Sequence, residues 1–262
     1  MTTPTVVAHR GFAGQYPENT VAAVQAAAAD GADAVEIDVQ ATADGDVVVF
    51  HDRRLDGRGE SRGITDGTGV VWRQSTATVT GARVLGTDER VPTLEAVLSA
   101  VPAHVTVNVE LKNPGSDATR PATALDADAR ERATERWAPF VESVVGVVDQ
   151  FGADVVYSSF YEGAISALRT RAPDAPVAVL VAPDSVTAGC AVARRYDVDA
   201  VNLPLSAVDG ASGDRLAGVA ADLDASRNVW TVEDWQDARR AVDSGAGGII
   251  ADYAGLDSYV RP

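Results

Sequence analysis

Eight short apolar, β-branched runs recur along the 262-residue chain, and stretches of helical character separate most of them. The runs are Thr5–Ala8, Ala34–Val39, Val105–Leu111, Val155–Phe160, Val177–Ala182, Ala200–Leu203, Asn228–Val232 and Gly248–Ala251. Most are continuously apolar rather than alternating, which is the pattern of parallel strands covered on both faces. Between them the sequence predicts helices over Thr20–Ala29, Leu94–Ala100, Asp126–Gln150, Ala164–Arg171, Val186–Tyr196, Gly213–Ala221 and Val232–Ser244. Asn19-Thr20 and Asp184-Ser185 are helix-start signals, and Gly31 and Gly245 follow helix ends. This alternation predicts an α/β chain folded as a (β/α)8 TIM barrel, one domain over residues 1–262. The rival is an open doubly wound sheet, but no Gly-x-Gly-x-x-Gly fingerprint follows the first strand.

Two segments depart from the alternation. Residues 41–51 read as a hairpin, with Asp44-Gly45 as a two-residue turn between β-rich arms. That turn pairs positions summing to 89 and sets His51 opposite Asp38; a three-residue loop shifts the register by one. Residues 53–90 are rich in Gly, Asp, Thr and Arg without a sustained period, and read as a small insertion after the hairpin of the second strand. Pro92-Thr-Leu-Glu95 then restarts the regular pattern.

Charge narrows the partners. The chain carries 38 Asp+Glu against 22 Lys+Arg, a net charge of −16. Nucleic acid and anionic membranes need cationic faces, so neither is an expected partner. No run is long enough for stable membrane insertion, and no cationic leader is visible at the N-terminus, so a cytoplasmic location is expected. The single cysteine, Cys190, excludes an internal disulfide framework and reads as core filler. Twenty-seven Asp with a lone Lys is the composition of a salt-adapted, acidic surface, and halophily is the expectation drawn from it.

In a barrel, chemistry gathers where strands end and loops begin. Strand one ends in His9-Arg10-Gly11, strand two carries Glu36-Ile37-Asp38, the hairpin returns to His51-Asp52, and strand three ends in Glu110-Leu111-Lys112. Glu36 and Asp38 are two residues apart and project from one strand face. Two inward carboxylates repel, and Glu110 on the next strand adds a third. A single divalent cation resolves that conflict, and oxygen ligands suit Mg²⁺ or Ca²⁺. Lys112 is the only lysine beside 21 arginines, and its compact ammonium suits a phosphate oxygen, as does Arg10. His9 and His51 both close apolar strands and face the carboxylates as an acid and a base. The third histidine, His104, precedes a strand and is expected at the opposite end, in a structural role. Phe160 and Trp230 end strands four and seven; Trp230 is expected to line the pocket, and Phe160 either joins it or fills core. Asn19 is read as a helix cap or a loop brace, and Asp52 as orienting a neighbour.

These motifs, together with Pro17-Glu18-Asn19-Thr20, Ser158-Ser159-Phe160, Trp230-Thr231-Val232 and Gly248-Ile-Ile-Ala-Asp252, resemble the glycerophosphodiester phosphodiesterase family in the expected order along nearly the whole chain. The resemblance implies hydrolysis of small glycerophosphodiesters to glycerol 3-phosphate and an alcohol. It implies a metal on Glu36, Asp38 and Glu110, acid/base catalysis by His9 and His51, and phosphate contacts from Arg10 and Lys112. Departures at Glu233 and Ala251, and the long segment 113–150, lie at or beyond the substrate rim. Two other readings are a lysophospholipase D-like or phospholipase C-like enzyme on the same barrel, and a non-catalytic barrel that binds a phosphate ligand.

Overall fold

The computed structural model describes residues 3–260. The terminal residues 1–2 and 261–262, which belong to the predicted domain span and to the N-terminal stretch read for a leader, lie outside it. The elements run β1 (Thr5–Ala8), α1 (Val21–Ala29), β2 (Ala34–Ala41), β3 (Val47–Val49), α2 (Thr76–Gly81), α3 (Leu94–Ala100), β4 (Thr106–Asn113), α4 (Ala127–Phe151), β5 (Val155–Ser159), α5 (Glu162–Arg171), β6 (Val177–Leu180), α6 (Val186–Tyr196), β7 (Ala200–Pro204), α7 (Gly210–Asp222), β8 (Ser226–Val232), α8 (Trp235–Asp243) and β9 (Gly248–Ala251).

Eight parallel strands close on themselves. β1 pairs with β9 on one side and β2 on the other, and β2, β4, β5, β6, β7, β8 and β9 complete the ring in order. That closure excludes the open sheet and makes the fold a (β/α)8 TIM barrel. Odd and even positions divide the labour. In β2, Val35, Ile37 and Val39 are fully buried against the helices, while Glu36, Asp38 and Gln40 take the other face. The helices contribute Val24, Leu94, Trp137, Phe140, Ile165, Leu168 and Leu216 to the same layer. A smaller cluster of Val7, Ala34 and Ile250, with Trp230 packed on it, forms separately from that layer.

The hairpin differs from the expected register. β2 and β3 pair as Val39↔Val49, Gln40↔Val48 and Ala41↔Val47, sums of 88 rather than 89. Thr42 and Asp46 close the loop through the Thr42 N–H, so three residues turn the chain and Gly45 takes a φ of +87°. Phe50, not His51, therefore sits opposite Asp38, its N–H bonded to the Asp38 carbonyl. The positive φ explains why Asp-Gly misled: glycine serves the left-handed position of a three-residue loop as well as that of a two-residue one.

Beyond β3, residues 53–90 hold a 3-10 turn at Val71–Arg73, the short helix α2 and isolated bridges such as Arg54↔Val70 and Thr65↔Val84. Phe50, Leu55, Val71, Trp72, Val79 and Val84 are buried together in a cluster separate from the main core. α8 starts at Trp235 because Asp234 caps it, accepting from the Asp237 N–H, while Val232 stays in β8.

Candidate active site

Strand register brings the carboxylates together. β2 and β4 pair with Asp38 level with Glu110 and Glu36 level with Asn108. Glu36, Asp38 and Glu110 are all buried, and one oxygen from each lies within 4.8 Å of the others. Glu36 Oε1 and Asp38 Oδ1 are buried and accept no hydrogen bond, and the buried Glu110 Oε1 meets only the Lys112 ammonium. Three convergent, under-satisfied carboxylate oxygens are the donor set of a hard divalent cation, so the residues present fit Mg²⁺ or Ca²⁺.

Lys112, two residues beyond Glu110, places its Nζ 2.9 Å from Glu110 Oε1 and 3.5 Å from Asp38 Oδ1. The turn after β1 supplies the next group. Arg10 takes a φ of 51°, and its N–H donates to Glu36 Oε2 at 3.0 Å. Its guanidinium lies 3.2 Å from Asp38 and donates to Glu18 at 3.1 Å. The same turn requires Gly11, at φ +78°: a Cβ there would stand 2.8 Å from the Ala23 Cβ of α1. Asn19 braces the carboxylate from behind; its Nδ2 donates to Asp38 Oδ2 at 2.8 Å and its Oδ1 accepts the Asp38 N–H at 3.1 Å. The helix cap is Thr20, whose hydroxyl accepts the Ala23 N–H.

Each histidine is oriented through one nitrogen. His9 Nδ1 bonds Asp252 at 2.6 Å, and His51 Nδ1 bonds Asp52 at 2.8 Å. Nε2 is left on each ring, without a protein hydrogen-bond partner, and both rings line the same cavity of about 260 Å³. Asp52 is held in turn by Arg62, whose backbone N–H and Nε donate to its two oxygens, while the rest of that guanidinium grips Glu18 with two bonds of 2.7 Å.

Burial and neighbours set the charges. Burial, then Asp38 and Glu110, push Glu36 well above the usual carboxyl range. Burial raises Glu110 to about 7, against the pull of Lys112. Burial would raise Asp38 too, but the charges of His51, Arg10 and Lys112 outweigh it and hold Asp38 ionised. Burial lowers His51, partly countered by Asp38. Asp52 stays well below the carboxyl norm because His51 and Arg62 overcome its burial.

Of the nine residues singled out in the sequence, His9, Arg10, Glu36, His51, Glu110, Lys112, Phe160 and Trp230 line that one cavity. Asp38 is fully buried and does not line it, though its carboxylate meets Arg10 and Lys112. Phe160 and Trp230 are half-buried walls in edge-to-face contact, ring centres 5.6 Å apart, and the Lys112 ammonium stands 5.9 Å from the Phe160 ring centre. His104 precedes β4, at the far end of that strand from Lys112, and is exposed. Asn108 and Ser158 also line the cavity with unsatisfied side-chain oxygens. Sequence reasoning missed both as site residues, although Asn108 lies two residues before Glu110. It also missed Arg62, which sits in the aperiodic insertion with nothing local to mark it.

The model of the glycerophosphoryl diester phosphodiesterase family matches residues 9–256. The chain is 33% identical to a probable glycerophosphodiester phosphodiesterase 2 of Mycobacterium tuberculosis, over 95% of this chain and 88% of that one. It is 28% identical to a putative glycerophosphodiester phosphodiesterase of Bacillus subtilis, over 95% and 94%. Among solved structures, a phosphodiesterase of Oleispira antarctica in complex with the product sn-glycerol-3-phosphate superimposes with a TM-score of 0.78 at 24% identity, covering 98% of this chain and 97% of that one. A glycerophosphodiester phosphodiesterase of Thermotoga maritima gives 0.74 at 20%, covering 100% of both.

Proposed function

The chain belongs to the glycerophosphoryl diester phosphodiesterase family and is an enzyme of that class, and on that premise we propose that it hydrolyses small glycerophosphodiesters to glycerol 3-phosphate and an alcohol, with His9 and His51 moving the protons. The observation that carries this reading is the pairing of two carboxylate-held histidines with three convergent buried carboxylates around one cavity. The Oleispira neighbour's bound product points to the same end of the reaction.

Glu36, Asp38 and Glu110 would hold one Mg²⁺ or Ca²⁺. When bound, the ion neutralises phosphate charge and polarises the P–O bonds toward attack. The chain's own residues do the rest. Lys112 and Arg10 present cationic donors to the phosphate oxygens, and both are already aimed by Asp38. One histidine takes the proton of the attacking group, water or the glycerol 2-hydroxyl, as the new P–O bond forms; in the second case water then opens the cyclic phosphate to glycerol 3-phosphate. The other delivers a proton to the departing alkoxide as the old P–O bond breaks. Asp252 and Asp52, each on a ring Nδ1, fix the tautomer so that Nε2 faces the reacting atoms and stabilise the imidazolium that forms. Phe160 and Trp230 bound the cavity beside Lys112 as apolar walls for the organic part of the substrate. We read the chain as one catalytic domain whose 53–90 insertion steadies His51 through Arg62 and Asp52. No helix among the described residues is long and apolar enough to cross a membrane.

The test is release of glycerol 3-phosphate in a coupled assay. EDTA should abolish activity, and Mg²⁺ or Ca²⁺ should restore it. His9→Ala and His51→Ala should each lower kcat by about a thousandfold with thermal unfolding unchanged within a few degrees. Activity within tenfold of the parent in either folded variant overturns the assignment.

A further inference from the structure

The catalytic cavity does not end at the histidines. A second cavity of about 240 Å³ shares His51 and Lys112 with it and runs past Arg53, Thr119 and Tyr161. A third, of about 590 Å³, shares Asp117, Thr119 and Tyr161 with the second. Through these shared residues the three adjoin in sequence, from the carboxylates to the loop after β4 and the first turns of α4. Its outer end is lined by Arg120, Arg132 and Arg136.

Those arginines are anomalous in this chain. Among the described residues, only four guanidinium groups have neither a hydrogen bond nor an ion pair, those of Arg58, Arg120, Arg132 and Arg136, and three of the four face this one cavity. With 38 acidic residues against 22 basic ones, partners are abundant. The acids that line the cavity are engaged elsewhere: Asp117 pairs with Arg53 and Arg73, and Asp126 caps α4 by accepting the Ala129 N–H. Asp128, Glu131 and Glu135 lie on the same helix, yet none pairs with the arginines. Arg132 and Arg136 are also one helical turn apart, a spacing at which like charges repel. Three exposed guanidinium groups without a direct partner, facing one cavity, are free to receive an anion from outside, and guanidinium forks match phosphate oxygens in pairs.

We propose that this outer groove is the leaving-group subsite and that it takes alcohols carrying a second phosphate. The substrate class is then a glycerophosphodiester whose head group is itself phosphorylated. The reacting phosphorus sits over the carboxylates, the head group passes His51 and Tyr161, and its phosphate reaches the arginines. The inference rests on the hydrolase reading above.

Two substrates separate the cases: glycerophosphoglycerol, with a neutral leaving group, and the same diester with a phosphomonoester on the leaving glycerol. The parent enzyme should favour the phosphorylated substrate in kcat/KM, and the preference should shrink as salt is raised. Arg120→Gln/Arg132→Gln/Arg136→Gln should cut the ratio of the two kcat/KM values about tenfold, through KM. Arg58→Gln, an unpartnered arginine outside the groove, should leave the ratio where it is and so controls for net charge. Inorganic phosphate titrated into ¹⁵N-labelled protein should shift the amides of residues 120–136 in the parent and not in the triple variant. No preference in the parent, or one that survives the triple substitution, overturns the inference. If neither diester is hydrolysed but the phosphate shifts still depend on the arginines, the groove stands and the hydrolase reading falls. If the shifts are equal in both proteins, the groove falls whatever the turnover.

Discussion

Glu36 illustrates how a functional residue can work against the fold that holds it. Burial and two neighbouring carboxylates raise it, and burial raises Glu110 to about 7. A carboxyl raised in the folded state keeps a proton that the unfolded chain has released. The metal-free protein therefore loses stability as pH rises from the ordinary carboxyl range, about 4.5, to about 7. Glu36→Gln keeps an oxygen for the Arg10 N–H and removes one charge. In EDTA at pH 8 it should melt a few degrees above the parent, and the gap should close as pH falls to the ordinary carboxyl range, where Glu36 is protonated in both states. A divalent cation should raise the melting temperature of the parent at pH 8 and do little for the variant. A Glu36→Gln protein less stable than the parent in EDTA would show that the carboxylates are not in conflict. The residues of this conflict were legible in the sequence because strand periodicity is strict: two positions apart means one face, at Glu36 and Asp38 and again at Glu110 and Lys112. Asp252 and Glu18 were visible only as parts of motifs, since their roles depend on contacts spanning 243 residues to His9 and 44 to Arg62.

At the scale of elements, the strands and most helices were readable to within a residue or two, because burial on both faces leaves an unmistakable apolar run. The hairpin register slipped by one for want of a signal distinguishing two-residue from three-residue loops. The insertion was legible only as an absence of period; its small core around Trp72 and Leu55 has no local repeat to betray it. That insertion nevertheless reaches the site. Arg62 bridges Glu18, which lies between β1 and α1, to Asp52, which follows β3. Arg62→Ala would leave a buried Glu18 with Arg10 alone and free Asp52 to swing from His51. Charge-assisted bonds of this kind contribute about 2 kcal/mol, reduced here because the Arg62 side chain is 40% exposed. The expected outcome is a modest drop in melting temperature with a fall in kcat of about tenfold, KM nearly unchanged, and a displaced pH profile because His51 loses its orienting carboxylate. Arg62→Lys, which cannot grip both acids bidentately, should recover stability more than kcat. A variant that loses stability but keeps kcat and pH profile would reduce Arg62 to a strut.

For the whole molecule the governing quantity is the net charge of −16. Self-repulsion of that size disfavours the compact state, and salt screens it. Surface ion pairs such as Arg53–Asp117 and Arg240–Asp209 weaken under the same screening, but each contributes no more than about 1 kcal/mol. The excess of acids decides the sign: stability should rise with KCl. The shape of the rise identifies the cause. The screening length is about 10 Å at 0.1 M and about 3 Å at 1 M, so relief of repulsion should be nearly complete by roughly 0.5 M. A melting temperature that climbs to a plateau there reports simple electrostatics. One that continues upward at molar KCl reports a carboxylate-rich surface whose hydration is matched to salt, which is the expectation for a halophilic chain with 27 Asp and a single Lys. Calorimetric melts from zero to 3 M KCl, with EDTA present so that the cation site does not contribute, separate the two. A melting temperature already maximal without added salt would refute salt adaptation and leave the acidity as a matter of solubility alone.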